Sequence, residues 1–123
     1  MRICVVTESF LPQVNGVTNS TLRLLEHLKA NGHKALVVAP SGSIDNYLGF
    51  PVIQMPSVYL KRFGDVRVAM PLSQVIKQIF DFHPDVIHLA SPALMGYYVA
   101  KKADQLGVPT IGVFQTDLAG FAK

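Results

Sequence analysis

Residues 2–39 read RICVVTESFLPQVNGVTNSTLRLLEHLKANGHKALVVA, and this stretch decides the fold. Arg2–Thr7 is a short apolar run rich in β-branched residues, the pattern of a strand buried on both faces. A loop, Glu8–Val17, comes next. Thr18 or Asn19 then caps a helix whose Leu22, Leu25 and Leu28, with Leu24, fall on one side. Asn31-Gly32 supplies its stop, and Lys34–Ala39 is a second buried strand. Two fully apolar strands joined through a helix make a crossover unit of a parallel sheet.

Outward from that unit the alternation continues. Pro40-Ser41-Gly42-Ser43 is a turn, and Pro51–Met55 a third, short strand. Pro56–Met70 has no clean period and reads as loop, with room for one turn of helix. Pro71 suits a first helical turn, and Leu72, Val75, Ile76, Ile79 and Phe80 then define an amphipathic helix that His83-Pro84 ends. Asp85–Ala90 is a fourth strand. Ser91-Pro92 opens a helix that runs to about Leu106, Gly107 stops it, and Pro109–Phe114 is a fifth strand. The order predicts an α/β fold, a Rossmann-like and mostly parallel sheet flanked by helices. Doubly wound domains of this kind carry further units, so residues 1–123 are expected to be an incomplete domain.

Composition narrows the function. Half the residues are hydrophobic and 15% are charged, the reverse of the balance that keeps a chain disordered. Net charge is +3, but the basic residues are scattered apart from Lys61-Arg62 with Arg67, and Lys101-Lys102. That is not the dense stripe of a nucleic-acid binder. Cys4 is the single cysteine and has no intrachain partner, which fits a reducing cytoplasm. The apolar run at residues 3–6 is too short for a signal peptide, and no apolar stretch reaches the ~20 residues that span a bilayer. Any membrane contact is expected to be peripheral.

Ligands of open parallel sheets bind at the carboxyl ends of the strands. Glu8–Val17, Ala90-Ser91-Pro92 and Gln115-Thr116-Asp117 converge there on this reading. The first loop has one glycine, Gly16, so it is neither a Gly-x-Gly-x-x-Gly turn nor a Walker loop. A glycine directly before a helix favours a phosphate through free N–H groups and the helix dipole, although Asn15-Gly16 reads equally as a plain turn. Gln115, Thr116 and Asp117 are suited to orienting a sugar hydroxyl or acting on its proton, and equally to capping a helix. His88, inside a strand, reads as a core imidazole, and Tyr97-Tyr98 as helix packing. His27, His33 and His83 have no ligand spacing between them, so no metal site is expected.

At these residues the chain resembles glycosyltransferase family 4, the retaining GT-B enzymes that use nucleotide sugars. The resemblance is carried by Thr7-Glu8-Ser9-Phe10-Leu11-Pro12-Gln13-Val14-Asn15-Gly16-Val17 and then Asn31-Gly32-His33. Pro84-Asp85-Val86-Ile87-His88 with Ser91-Pro92 is similar to a second family block, and Gly107-Val108-Pro109 leading to Gln115-Thr116-Asp117 to a third. The blocks occur in family order and span essentially the whole chain. Within the family, Val113–Ala122 resembles the actinobacterial α-mannosyltransferases that build lipid-linked mannosides, whose donor is GDP-mannose.

The resemblance implies a two-domain enzyme in which residues 1–123 are the acceptor-side, N-terminal domain and the donor domain is absent. It implies transfer of a hexose, mannose above all, from a nucleotide-sugar donor to a lipid or glycan acceptor. The loop of Asn15, Gly16 and Val17 would approach the donor diphosphate, and Gln115, Thr116 and Asp117 would lie near the sugar. Many members carry a histidine where this chain has Gln115, so a histidine role is not carried over; glutamine hydrogen-bonds but does not shuttle a proton near neutral pH. Catalysis would rest on positioning and on stabilising the departing diphosphate, without a metal or other cofactor, and the fragment alone would be inactive. Membrane-associated relatives imply a docking role for Lys61, Arg62 and Arg67 at the inner face of the plasma membrane, by attraction to anionic lipid. A solvated loop is the competing reading of that segment. Two further readings stand beside the enzyme: a stand-alone Rossmann-like module holding a phosphorylated ligand or partner, and a homo-oligomer formed through surface left uncovered by truncation.

Overall fold

A computed structural model describes residues 1–55, 72–90 and 94–112. Its elements run β1 (Arg2–Val6), α1 (Gly16–Ala30), β2 (Lys34–Pro40), β3 (Asn46–Tyr47), β4 (Phe50–Met55), α2 (Leu72–Asp81), β5 (Val86–Leu89), α3 (Leu94–Leu106) and β6 (Thr110–Gly112). The six strands form one sheet in the order β3-β4-β2-β1-β5-β6. All neighbours are parallel except β3 and β4. This is the expected α/β class.

Strand alternation builds two cores. On β1, Ile3 and Val5 face one side, where they join Leu25 and Leu28 of α1, Val37 of β2 and Val52 of β4. Cys4 and Val6 face the other, with Val38, Val75 and Ile79 of α2, Ile87 of β5, and Val99 and Ala103 of α3. Successive side chains of a strand point to opposite faces, so a strand covered on both sides must be apolar throughout. β1 and β2 meet that demand, and each β1 residue from Ile3 to Val6 is buried.

The helix stops are chemical. After α1, Gly32 takes φ +76° while its N–H reaches Lys29 O at 3.2 Å and His33 N–H reaches Leu28 O at 3.0 Å. This pair of bonds satisfies carbonyls the helix would otherwise leave open. Gly107 repeats the device after α3, with φ +75° and Val108 N–H bonded to Ala103 O at 2.9 Å.

Two local expectations are corrected. The helix starts three residues earlier than Thr18 implies, because Asn15 is the cap: its backbone is extended and its side chain accepts the Thr18 N–H. Thr18 is instead buried within the first turn. A sixth strand is also present, since Asn46–Tyr47 folds back on Phe50 through Leu48 and Gly49, both at positive φ. Two consecutive positive φ angles are what a tight hairpin turn requires. A two-residue strand leaves no alternation to read, and leucine is an uncommon residue at positive φ.

Candidate functional site

β1 lies between β2 and β5, so successive connections leave it in opposite directions and a crevice opens at its carboxyl end. Residues 7–18 line that end. Thr7 N–H closes onto Val38 O at 2.9 Å, continuing the ladder one step past the strand. Its hydroxyl then donates to Ser9 O at 2.8 Å and accepts from Ser9 N–H at 3.2 Å, which turns the chain sharply. Phe10 drops into the core beneath, 2% exposed, with its ring edge-on to Tyr47 at 6.0 Å. Gln13 N–H bonds to Phe10 O, and Ile44 N–H to Leu11 O, so the outer part of the loop is tied to itself and to the β2–β3 connection.

The loop returns to the helix through a hydroxyl network. Ser9 Oγ and Thr18 Oγ1 lie 2.9 Å apart and are both buried. Asn15 Nδ2 donates to Ser9 Oγ at 2.7 Å, while Asn15 Oδ1 accepts from Thr18 N–H at 3.0 Å. Asn19 N–H bonds to Asn15 O at 2.9 Å as the first helical bond. The N–H groups of Gly16 and Val17 therefore have no acceptor within the helix, as geometry dictates for its first turn. Gly16 is exposed, and a Cβ built on it would meet nothing within 4 Å. Its lack of a side chain answers no packing demand among the described residues, and its φ is not positive. The first turn carries no acidic residue, so the positive end of the helix dipole is not neutralised from within it.

Asn15, Gly16 and Val17 thus sit together at one helix N-terminus beside the crevice. Gln115, Thr116 and Asp117 lie outside the described residues, as do Ser91-Pro92 and Lys61, Arg62 and Arg67. The side chains of Tyr97 and Tyr98 lie outside them too. His88 is half-buried in β5, opposite Val5 and Ile111, and burial pushes its pKa below the ordinary histidine value. Among the described residues, no group of three or more His, Cys, Asp or Glu side chains is arranged to hold a metal ion. None of the described helices is long and apolar enough to cross a membrane.

Sequence reasoning missed Thr7, Ser9 and Thr18 as the parts that hold the loop. The readable signal was Asn15 three residues before Thr18, the spacing of a side-chain cap. The bond from Ser9 had no signal, since it depends on where β1 ends.

The sequence pattern of Glycosyltransferase Family 4 matches residues 14–122. The chain is 48% identical to a GDP-mannose-dependent alpha-mannosyltransferase of Corynebacterium glutamicum, over all of this chain and 31% of that protein. It is 45% identical to a protein of the same description from Mycolicibacterium smegmatis, over all of this chain and 34% of the relative. An alpha-monoglucosyldiacylglycerol synthase of Acholeplasma laidlawii is 28% identical over 94% of this chain and 30% of its own length. The chain spans about a third of the length of the curated relatives it matches.

Proposed function

The chain belongs to glycosyltransferase family 4, and from that premise we propose that it is the acceptor-side domain of a retaining enzyme that moves mannose from GDP-mannose to a lipid or glycan acceptor. The observation that carries the reading is Gly16: an exposed glycine at the first position of a helix, beside the sheet's switch point, with open space where its Cβ would be. Backbone N–H groups without a helical acceptor, in a first turn that carries no acidic side chain, favour a diphosphate at close range. The identity of donor and sugar is supported by relatives described as GDP-mannose-dependent, each matched over this whole chain.

On this reading the loop of Asn15, Gly16 and Val17 faces the donor diphosphate across a cleft whose other wall is a second, donor-binding domain. Charge builds on that diphosphate as the glycosidic bond to the sugar breaks. Donors fixed in advance stabilise such charge without reorganising at the moment of reaction. Gln115, Thr116 and Asp117 would orient the sugar and acceptor hydroxyls, with Asp117 the titratable group of the three. Lys61, Arg62 and Arg67 would hold the enzyme to anionic lipid at the inner membrane face, bringing a lipid acceptor to the cleft.

The test is Gly16→Val in the full-length protein, assayed with radiolabelled GDP-mannose and a membrane lipid extract. The position has room for the side chain, so circular dichroism and the melting temperature should be unchanged. Transfer should fall by roughly two orders of magnitude, the usual loss when a preorganised donor is displaced from a developing negative charge. Wild-type transfer by a stably folded Gly16→Val protein would remove the role given to this helix end.

A further inference from the structure

The opposite end of the strands holds a cavity of about 570 Å³, at the amino ends of β1, β2 and β4. Its wall carries Arg2, Lys29, His33 and Lys34, with Phe50 and Phe82 as apolar sides. No aspartate or glutamate is among its described lining residues. Three basic side chains thus share one concavity, and the Asp85 carboxylate beside it accepts the Arg2 backbone N–H at 2.7 Å. A cleft lined by one sign of charge concentrates its field and draws counter-ions in.

Two of these cations are held in place. The Arg2 guanidinium lies 4.1 Å from the centroid of the Phe82 ring, and its Nε donates to Phe82 O at 2.7 Å. The Lys29 ammonium lies 5.8 Å from the centroid of Phe50. Rings under cations fix their position while leaving their remaining N–H groups for an acceptor. Gly49 lines the same space at φ +86°, where a Cβ would stand at ordinary contact distance, 3.5 Å, from Lys29 Nζ. This differs from Lys77, an exposed lysine already paired with Asp81 at 2.6 Å.

We propose that this cavity is a second anion site, distinct from the Gly16 helix end, and that it takes a phosphate group. Phosphate suits the donor set: Arg2 offers a planar fork, the lysines point charges, and the phenylalanine walls cover whatever apolar group the phosphate carries. A phosphorylated soluble compound and a lipid headgroup present the same chemistry here.

Lysine acetylation footprinting of the full-length protein, read by peptide mass spectrometry, tests the site residue by residue. Rates are compared in inorganic phosphate and in chloride at matched pH and ionic strength, with a parallel arm of phosphatidylglycerol–phosphatidylcholine vesicles against pure phosphatidylcholine. Lys29 and Lys34 should be acetylated roughly threefold slower once phosphate is at about twice its dissociation constant. Lys77 and Lys101 should be unchanged. Protection by inorganic phosphate alone identifies a soluble ligand, and protection by anionic vesicles as well identifies a headgroup. Lys34→Gln, an exposed change at the start of β2, should abolish the protection at Lys29. Unprotected Lys29 and Lys34 in every arm, equal protection at Lys77 and Lys101, or intact Lys29 protection in Lys34→Gln would each overturn the site.

Discussion

Asn15 binds Ser9 with its side-chain nitrogen, at 2.7 Å, and caps α1 with its side-chain oxygen. One amide therefore fixes both the exit of β1 and the entry of the helix. The orientation of that amide follows from the bonds it makes, since only the nitrogen can donate and only the oxygen can accept.

Asn15→Asp separates these duties. Aspartate caps as well as asparagine and favours the helix dipole, so the loss of stability should stay within about 1 kcal/mol. It cannot donate to Ser9, and it sets a negative charge beside the end proposed to receive a diphosphate. The KM for GDP-mannose of the full-length protein should rise by about tenfold or more, the effect of roughly 1.4 kcal/mol. Asn15→Ala should instead cost about 1–2 kcal/mol of folding stability through the lost cap, measured by urea denaturation. If aspartate and alanine behaved alike in both assays, the two roles would not be separable.

Gly32→Ala should destabilise by about 1–2 kcal/mol, because a Cβ disfavours the left-handed conformation whatever room surrounds it. The surroundings are indeed empty within 4 Å, so no steric clash contributes. Equilibrium denaturation reads the change directly. A neutral result would mean that the chain after α1 relaxes to another conformation.

Cys4 is fully buried on the centre strand, and burial pushes its thiol pKa from 9.0 up to about 12. The folded state thus holds this proton more tightly than the unfolded state. The contribution is complete below about pH 9 and is lost as pH climbs toward about 12. Within that window Cys4 adds a slope of up to about 1.4 kcal/mol per pH unit. The slope should be missing when Cys4→Ala is compared with the parent chain across the same range. In native buffer the thiol should react with Ellman's reagent only as fast as the protein opens, and a rapid native reaction would show that the β1 face is not sealed.

The fold was legible because its signals are physical necessities of a covered parallel sheet. Runs such as Cys4–Val6 and Leu36–Ala39 must be apolar on both faces, and Gly32 and Gly107 mark stops where backbone conformation demands them. The β3 hairpin escaped notice because Leu48 and Gly49 hold the turn with no alternating strand before it. At the candidate site, Gly16 stood out as a glycine before a helix. Ser9 and Thr18 did not, because a buried hydroxyl pair nine residues apart is defined only by the bend that joins them. The basic cavity was illegible for a related reason: Arg2, Lys29 and Lys34 look scattered along the chain and meet only after β1, α1 and β2 are packed.

The length of α1 is fixed at both ends, by the Asn15 cap and by the Gly32 stop. One residue inserted between them would swing everything beyond it by about 100° and displace one end by about 1.5 Å. Leu25 and Leu28 would then leave the core, or the glycine-bearing tip would leave its crevice. Homologues of this chain should therefore vary α1 by replacement and confine insertions and deletions to the connections outside it, so that a sequence with a gap inside this helix signals a misalignment or a different fold.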